Sequence, residues 1–239
     1  IVKGTAVYTG AFTPPAAPVT AITNTQLLLN YTNAGIIDNT MMNNLETVGN
    51  VQISTAQSQF GGSSMSFDGT GDYLIMSDIN TGNFPGKFTT GDFTVEYWDY
   101  HGSQATNYGC QVGNLSTSTP SGTWRFGTVS NNVGLYFMYH NGSTYIDVIF
   151  GNTAYNNNIW RHFAITRENG TLRAFVDGVQ VGTNQTVTQN FNSNNKVILG
   201  AELVNPTYFN GYIGDLRITK GYARYTSNFS VPTTEFTKK

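Results

Sequence analysis

Two carboxylates, Glu96 and Asp99, lie three residues apart in the stretch Glu-Tyr-Trp-Asp, the closest approach here to the acid pair of a glycosidase. Retaining glycoside hydrolysis needs two carboxyl groups on one face, about 5 Å apart. Side chains of a strand alternate between its faces, so an odd spacing places these two on opposite faces. Glu168 falls in a predicted turn and Glu235 in the C-terminal tail. The sequence therefore predicts no glycosidase pair.

Motifs of other catalytic classes are also missing from the sequence. There is no Gly-x-Ser-x-Gly, and His101, His140 and His162 have no evident triad context. We expect His162 to be a packed or half-exposed strand residue, and the other two to lie at strand ends. Cys110, the only cysteine, is interpreted as a small buried side chain. The prediction is a chain that is not an enzyme.

Aromatic residues offer the chemistry of sugar recognition instead. Three tryptophans, Trp98, Trp124 and Trp160, accompany fourteen tyrosines. A flat apolar ring with a polar edge suits stacking on a pyranose. Packing inside the fold is the alternative for each, and we expect Trp160, at the start of a predicted strand, to be in the core. Trp124, Tyr108 and Trp98 are kept as candidate ligand-binding residues.

These residues need a β framework, which the apolar pattern predicts almost throughout. Gly91–Tyr100 alternates with period two, with Phe93 and Glu96 on opposite faces. Trp160–Gly182 predicts consecutive hairpins with Asn-Gly and Asp-Gly turns. Ser64–Met76 is two short runs around Asp-Gly-Thr-Gly, which also predicts a hairpin. Only Gly35–Thr47 has the pattern of a helical turn.

Composition excludes several classes of partner. The 239 residues carry a net charge of −2 and only 11% charged residues, which gives no electrostatic footprint for nucleic acid. No apolar run is long enough to predict membrane insertion. With 39% apolar and 13% aromatic residues, the chain is not expected to be disordered. Its abundant Asn, Thr, Gly, Ser and Tyr are typical of β-rich extracellular or virion proteins.

The two ends of the chain repeat each other. Ile1–Pro15 aligned with Ile218–Pro232 gives identical residues at eight of fifteen positions, where chance gives about one. The repeat predicts a tandem array. Residues 1–15 are interpreted as the C-terminal segment of a preceding repeat, 16–24 as a linker, 25–234 as one domain and 235–239 as a tail.

Five stretches in order resemble laminin-G-like domains of the concanavalin A-like superfamily. They are SMSFDGTGDYL, GDFTVEYW, WRHFAITRENGTLRAFVDGVQVG, VILGAE and FNGYIGDLRI, between Ser64 and Ile218. The resemblance implies an all-β fold, a two-sheet antiparallel jelly-roll sandwich with six or seven strands in each sheet. The stretch LRITKGYARYTSNFSVPTTEF resembles the end of such modules in bacteriophage tail and virion proteins, where they often occur in tandem.

The resemblance also raises calcium, since such domains often hold one Ca²⁺ at a loop rim through oxygen ligands. Asp68 and Asp72 flank the Gly-Thr-Gly turn, and Asp215 is a third candidate ligand. Asp78 and Asp92 are further candidates. The alternative is that Asp68 and Asp72 are turn residues that hydrogen-bond their own backbone.

Three functions remain open at this point. The first is a virion-associated or extracellular binding module, of the tail-fibre type, that recognises a cell-surface glycan. The second is a structural repeat or decoration module whose partners are virion proteins or other copies of itself, which allows a homo-oligomer. The third is a carbohydrate-binding or catalytic unit of a secreted polysaccharide-degrading enzyme, and catalysis would need an active-site carboxylate pair that the sequence lacks.

Overall fold

The computed structural model describes residues 6, 9–11, 43–78, 84–102, 108–115, 121–129, 134–155 and 157–236. The chain divides into two compact units, Ile1–Ile36 and Ile37–Lys239. The described residues of the second unit form strands, turns and bends. None of them belongs to a helix long and apolar enough to cross a membrane.

Sixteen strands make up the described part of the fold. They are β1 Asn43–Val48, β2 Gln52–Ser54, β3 Ser64–Asp68, β4 Tyr73–Asp78, β5 Phe93–Tyr100, β6 Tyr108–Gly113, β7 Trp124–Val129, β8 Gly134–His140, β9 Tyr145–Phe150, β10 Arg161–Glu168, β11 Thr171–Val176, β12 Val179–Thr186, β13 Val197–Leu199, β14 Ala201–Glu202, β15 Thr207–Tyr208 and β16 Asn210–Lys220.

Fourteen of these strands form two antiparallel sheets of seven strands each, and β14 pairs with β15. Sheet I has the order β1-β4-β13-β6-β7-β8-β9, and sheet II the order β12-β11-β10-β5-β16-β3-β2. The predicted all-β, two-sheet antiparallel jelly-roll sandwich is therefore confirmed. The crossovers between distant strands are expected for a jelly roll, in which consecutive strands often belong to different sheets.

One local prediction was wrong, and a second is contradicted only at the residues that the structure describes. The Asp-Gly-Thr-Gly segment does not close a hairpin, because β3 belongs to sheet II whereas β4 pairs with β1 and β13 in sheet I. The same turn residues serve a corner between sheets as well as a hairpin. The predicted helical turn at Gly35–Thr47 is replaced, in its described part, by β1, whose pairing with β4 overrides a weak local preference. Residues 35–42 lie outside the described residues.

The turns of Trp160–Gly182 follow the prediction. Strands β10, β11 and β12 pair in succession. Asn169 and Gly170 have φ values of 48° and 76°, and Asp177 and Gly178 have values of 49° and 78°. Asn, Asp and Gly tolerate this left-handed backbone best, so the turn residues set the register of both hairpins.

Aromatic side chains fill the space between the sheets. Phe93 of sheet II stacks against Phe88 with a centroid distance of 4.2 Å, and against Phe137 of sheet I at 6.0 Å. Trp124 is fully buried beside Phe137, with the two ring planes 12° apart. Such rings bury a large area each and favour offset or edge-on contacts, which fixes the spacing of the two sheets.

One charge lies inside this aromatic layer. The guanidinium of Arg167 is buried 5.0 Å from the Phe93 ring centroid and 4.8 Å from that of Phe191. It donates hydrogen bonds to the carbonyl oxygens of Thr89, Gly91 and Gln189. Burial lowers the pKa of Arg167 to about 10, so the group stays charged at neutral pH. Arg167 therefore holds two loops at one end of the sandwich.

Replacing Arg167 by Met keeps the length of the side chain but removes all of its donors. Three part-buried carbonyls then lose the guanidinium as a donor, although that of Thr89 keeps the N–H of Phe191, and we expect the free energy of unfolding to fall by roughly 3 kcal/mol. Arg173→Met is the matched control, because Arg173 makes only a peripheral ion pair with Glu168 at 3.3 Å. It should cost less than about 1 kcal/mol. Urea unfolding measures both, and equal losses would contradict the role given to Arg167.

A third layer covers the outer face of sheet II. This layer is the C-terminal segment Gly221–Phe236, here called the strap. It is held through its backbone by two paired threonines, Thr94 and Thr166. The Thr94 hydroxyl donates to the carbonyl of Tyr222 at 3.2 Å and accepts from the N–H of Arg224 at 2.9 Å. The Thr166 hydroxyl donates to the carbonyl of Tyr225 at 2.8 Å.

The carboxylate of Glu96 lies under the strap and is fully buried. It accepts hydrogen bonds from Nε2 of His162 at 3.1 Å, Nε of Arg217 at 2.8 Å and the hydroxyl of Tyr225 at 2.8 Å. Burial by itself would raise the pKa of Glu96, but these hydrogen bonds and the Arg217 charge outweigh it and hold the pKa below its ordinary value. Burial next to Glu96 raises the pKa of Tyr225, so its hydroxyl stays protonated as a donor.

Glu96 gives the fold a predictable acid limit. A carboxylate with a lowered pKa in the folded state contributes stability above its ordinary value of 4.5, and loses it as pH falls through the folded value. Glu96→Gln should lower the free energy of unfolding at pH 7 by roughly 3 kcal/mol, because the buried cluster loses its anion. The gap between variant and wild type should then narrow below pH 4.5.

Urea unfolding between pH 3 and 7 measures this gap. Glu46→Gln, at an exposed position of β1, is the control and should track the wild type throughout. A gap for Glu96→Gln that stays constant down to pH 3 would contradict the linkage.

Candidate functional site

The strap leaves one end of the outer face of sheet II open, and a pocket of about 260 Å³ lies there. Its walls come from the end of β5, the start of β16 and the loop before β10. The lining residues are Tyr100, His101, Gly102, Asn158, Asn210, Gly211 and Tyr212. This volume is a little below the range of drug-sized ligand sites, about 300–1,000 Å³, and suits one or two small rings.

Aromatic rings form one side of the pocket. Tyr100 and Tyr212 are direct partners across β5 and β16, and their rings meet edge to face at 6.0 Å. Trp160 adds a third ring, 5.6 Å from that of Tyr100. All three are half-buried, and Nε1 of Trp160 has no acceptor among the described residues. That nitrogen is buried, and Trp160 lies behind the lining residues, so the cluster offers the pocket the apolar faces of Tyr100 and Tyr212.

Amide side chains form the other side. Asn158 has a φ of 53°, and its N–H donates to the carbonyl of His101 at 3.0 Å, which holds the loop against β5. Asn210 is exposed at the start of β16. The backbones approach closely here, since a Cβ on Gly211 would lie 2.6 Å from the carbonyl oxygen of Tyr100. Primary amides both donate and accept hydrogen bonds, as sugar hydroxyls require.

Behind the pocket is a buried acid and base pair. Nδ1 of His101 makes a very short contact with a carboxylate oxygen of Asp99. Because a carboxylate only accepts, the pair fixes the proton on Nδ1 of His101. The described lining contains no Ser, Thr or Cys that could act as a nucleophile beside it. The pair therefore orients the wall of the pocket and completes no catalytic triad among the described residues.

The aromatic residues predicted as ligand-binding lie elsewhere. Trp124 is fully buried in the core, and its indole N–H donates to the carbonyl of Gly86 at 2.8 Å. Trp98 is 4% exposed and packs edge-on against His162 and Phe60. Neither ring presents a face to a sugar. Tyr108 begins β6, and its side chain lies outside the described residues. Trp160, expected in the core, is instead half-buried on the outer face beside the pocket.

The predicted metal ligands do not form a common site. Asp72 accepts the backbone N–H groups of Asn50 and Asp68, at 2.8 and 3.0 Å, and so uses both of its oxygens. Asp68 accepts the N–H of Thr70 at 2.7 Å, as the turn alternative predicts. Asp215 lies away from this turn on β16 and accepts the N–H of Phe236, and burial raises its pKa.

The other aspartates do not complete a site either. Asp92 accepts the N–H of Asn169 at 2.8 Å, and the side chain of Asp78 lies outside the described residues. In the described part of the chain, no three His, Cys, Asp or Glu side chains meet as potential metal ligands. These residues do not fit the calcium site that the fold family suggests.

The role of Asp72 in the corner is testable. Asp72→Asn places an amide N–H₂ against one of two backbone N–H donors, and we expect a loss of about 1–3 kcal/mol in the free energy of unfolding. Asp68→Asn is the control, since that exposed side chain caps a single N–H. Thermal unfolding should show the same loss in millimolar Ca²⁺ and in EDTA. A wild-type stabilisation by Ca²⁺ that Asp72→Asn removes would contradict this assignment.

Comparison with known proteins identifies the family of the fold. The family model described as Concanavalin A-like lectin/glucanases superfamily, a laminin G model, matches residues 68–224, more than half of the chain. The chain belongs to this superfamily. The predicted resemblance to a laminin-G-like domain is thereby confirmed. No curated protein sequence matches the chain significantly.

Solved structures of the same lectin-like fold include binding domains of botulinum neurotoxins. The serotype G binding domain has a TM-score of 0.57 and 12% identity, over 77% of this chain and 44% of that chain. The neurotoxin DC binding domain in complex with SialylT has values of 0.56 and 18%, over 75% and 44%. A type C structure, described as dependent on two ganglioside molecules for cell entry, has values of 0.56 and 15%, also over 75% and 44%.

This likeness concerns the fold of the lectin-like module. The chain spans less than half the length of the neurotoxin chains that it matches.

The pocket residues of this chain are not predictable from short stretches of its sequence. Tyr100 and Tyr212 come together only because β5 and β16 pair, and no local motif links them.

Proposed function

We propose that this module is a non-catalytic binding domain that recognises a cell-surface glycan in the pocket beside Tyr100. The observation that carries the proposal is the lining of the pocket, in which the paired rings of Tyr100 and Tyr212 occur together with the amide side chains of Asn158 and Asn210. Rings pack on the C–H faces of a sugar, while amides exchange hydrogen bonds with its hydroxyls. A superfamily that includes lectins, and neurotoxin neighbours described with sugar ligands, supports this function.

The charge of the pocket narrows the class of sugar. No Lys or Arg side chain is among the lining residues, and the nearby Arg161 is paired with Asp177 at 2.8 Å. Recognition of a sialic acid carboxylate is strongest with a cation. The pocket therefore suits a neutral hexose or an N-acetylhexosamine at the end of a glycan. This specificity differs from the ligands named for the neurotoxin domains.

The wider setting that we propose is an extracellular or virion-borne protein, of the bacteriophage tail-fibre type. The tail-fibre resemblance of the C-terminal stretch and the low charge of the chain support it. A glycan array probed with the full chain, in millimolar Ca²⁺ and again in EDTA, tests the function together with the calcium dependence that the family resemblance implies. We expect binding to neutral glycans in both conditions. Binding that EDTA abolishes would establish calcium dependence, and no binding in either would refute the glycan function.

Asn158 provides a sharp variant for this assay. Gly accepts the φ of 53°, so Asn158→Gly removes the amide side chain with little backbone strain. Loss of one or two hydrogen bonds to the sugar should weaken binding roughly fivefold to tenfold. Asn169→Gly is the matched control, with a φ of 48° in a hairpin turn outside the pocket. Isothermal titration with the best glycan should show the loss only for Asn158→Gly.

The second candidate is a structural repeat or decoration module that assembles through protein–protein contacts. The internal repeat of Ile1–Pro15 favours it, because tandem modules are common in such assemblies. Sedimentation at high protein concentration, with cross-linking to a second copy, tests this function. A chain that stays monomeric and uncross-linked while it binds glycans would rule out the structural function, and only the lectin function would remain.

A further inference from the structure

We propose that Ile1–Pro15 is a second strap, and that its partner is the outer sheet of another module of this kind. The structure describes one strap docked on sheet II, and Ile1–Pro15 repeats eight of the fifteen residues of Ile218–Pro232, a stretch that contains the first twelve residues of the strap. The first copy lies outside the described residues, apart from Ala6 and residues 9–11. The inference rests on the chemistry of the docked copy, and it does not depend on the glycan pocket.

The positions that hold the docked strap are the ones that the two copies share. Tyr225, which bonds Glu96, corresponds to Tyr8. Phe229, which stacks on Tyr225 at 3.5 Å and packs edge-on against His162 and Phe175, corresponds to Phe12. Both aromatic anchors are therefore present in the first copy at the same spacing.

The backbone requirements of the docked strap are shared as well. Gly221 has a φ of 77° and donates its N–H to the carbonyl of Asp92 at 2.7 Å, and it corresponds to Gly4. The buried Ala223 corresponds to Ala6. A larger residue at the alanine would collide with the sheet, and a residue other than Gly would strain the entry turn.

Most of the differences between the copies lie outside these contacts. Of seven differing positions, Tyr222, Ser227, Asn228 and Ser230 are exposed in the docked strap. Two of the others change together. Nε of Arg224 donates to the hydroxyl of Thr219 at 2.8 Å, and the first copy has Val7 and Val2 at these positions. A hydrogen-bonded pair is replaced by two apolar side chains, and the ion pair of Arg224 with Glu96 at 3.7 Å has no counterpart in the first copy.

One difference predicts how the partner module departs from this one. The side chain of Asn228 accepts the N–H of Gln180 at 2.9 Å, and Ala11 in the first copy has no such acceptor. The contact between Phe229 and Gly178 uses only backbone atoms, at 2.9 Å, and survives the change. The partner face therefore needs equivalents of Thr94, Glu96 and His162, and does not need the bond at Gln180.

The first test exchanges the two straps within the full chain. The chimera replaces the seven differing residues by their counterparts, as Thr219→Val, Tyr222→Thr, Arg224→Val, Ser227→Gly, Asn228→Ala, Ser230→Thr and Val231→Pro. If Ile1–Pro15 is a strap, the chimera should melt within about 5 °C of the wild type. The control adds Tyr225→Ala and Phe229→Ala to the chimera and should melt roughly 10 °C lower or more. A chimera that melts as low as its control would overturn the proposal.

The second test measures docking between molecules. The target is the full chain with Tyr225→Ala and Phe229→Ala, which weakens its own strap. A labelled peptide of Ile1–Pro15 should bind it at least tenfold more tightly, by fluorescence anisotropy, than the same peptide with Tyr8→Ala and Phe12→Ala. Equal binding of the two peptides would count against recognition of the strap sequence. If the weakened target does not fold, the chimera alone decides.

Discussion

Most of this structure depends on the burial of one carboxylate, that of Glu96, on the outer face of sheet II. In a sandwich, one face of each sheet packs against the other sheet and the opposite face usually meets water. Glu96 occupies that opposite face of β5, yet it is fully buried, because His162, Arg217 and the strap surround it. An uncompensated charge at such a depth would cost several kcal/mol. The strap is therefore part of the fold, and it supplies both a hydrogen-bond donor and an apolar cover.

The position of the strap also decides where a ligand has room. It enters next to Thr94, crosses Glu96 and ends with Phe236, whose ring lies 4.5 Å from the guanidinium carbon of Arg217. The outer face is thus closed over its middle and at one end. The remaining end carries Tyr100 and Tyr212 in an open pocket. The same residue period that places Glu96 under the strap places Tyr100 four residues later on the same face, beyond its reach.

The sequence predicted those parts of the fold that depend on local rules. The alternation of β5 identified which residues face the core, and the Asn-Gly and Asp-Gly pairs identified the two hairpins of β10, β11 and β12. Local rules failed where the same residue types occur in two different structural environments. The Asp68–Asp72 turn contains residues typical of a hairpin but joins strands of different sheets. It is held there because the carboxylate of Asp72 accepts a hydrogen bond from the backbone N–H of Asn50, in a distant turn. Trp98 has the spacing of an outward residue, and only the covering layers bury it.

The candidate site was beyond prediction for a related reason. Its residues come from β5, β16 and the loop before β10, which are far apart in the chain, and each of them is a common residue without a motif. Trp98 and Trp124 were predicted to bind a ligand because tryptophan is a rare and large aromatic residue. However, a large ring also fills a large volume of a core, and the ring of Trp124 packs between those of Phe88 and Phe137. Rarity of a residue type therefore predicts packing better than it predicts ligand binding.

The two copies of the repeated segment indicate which of its positions are constrained. A contact between two side chains should either persist in both copies or change at both of its ends. Thr219 and Arg224 are both replaced, whereas the stacked residues Tyr225 and Phe229 are retained in the sequence as Tyr8 and Phe12. Four of the seven changes fall on exposed residues, and Ala223, the buried residue of Ile218–Pro232, is retained as Ala6. The retained residues include those through which the docked strap contacts Glu96 and His162, and they are the basis of the connection between modules proposed above.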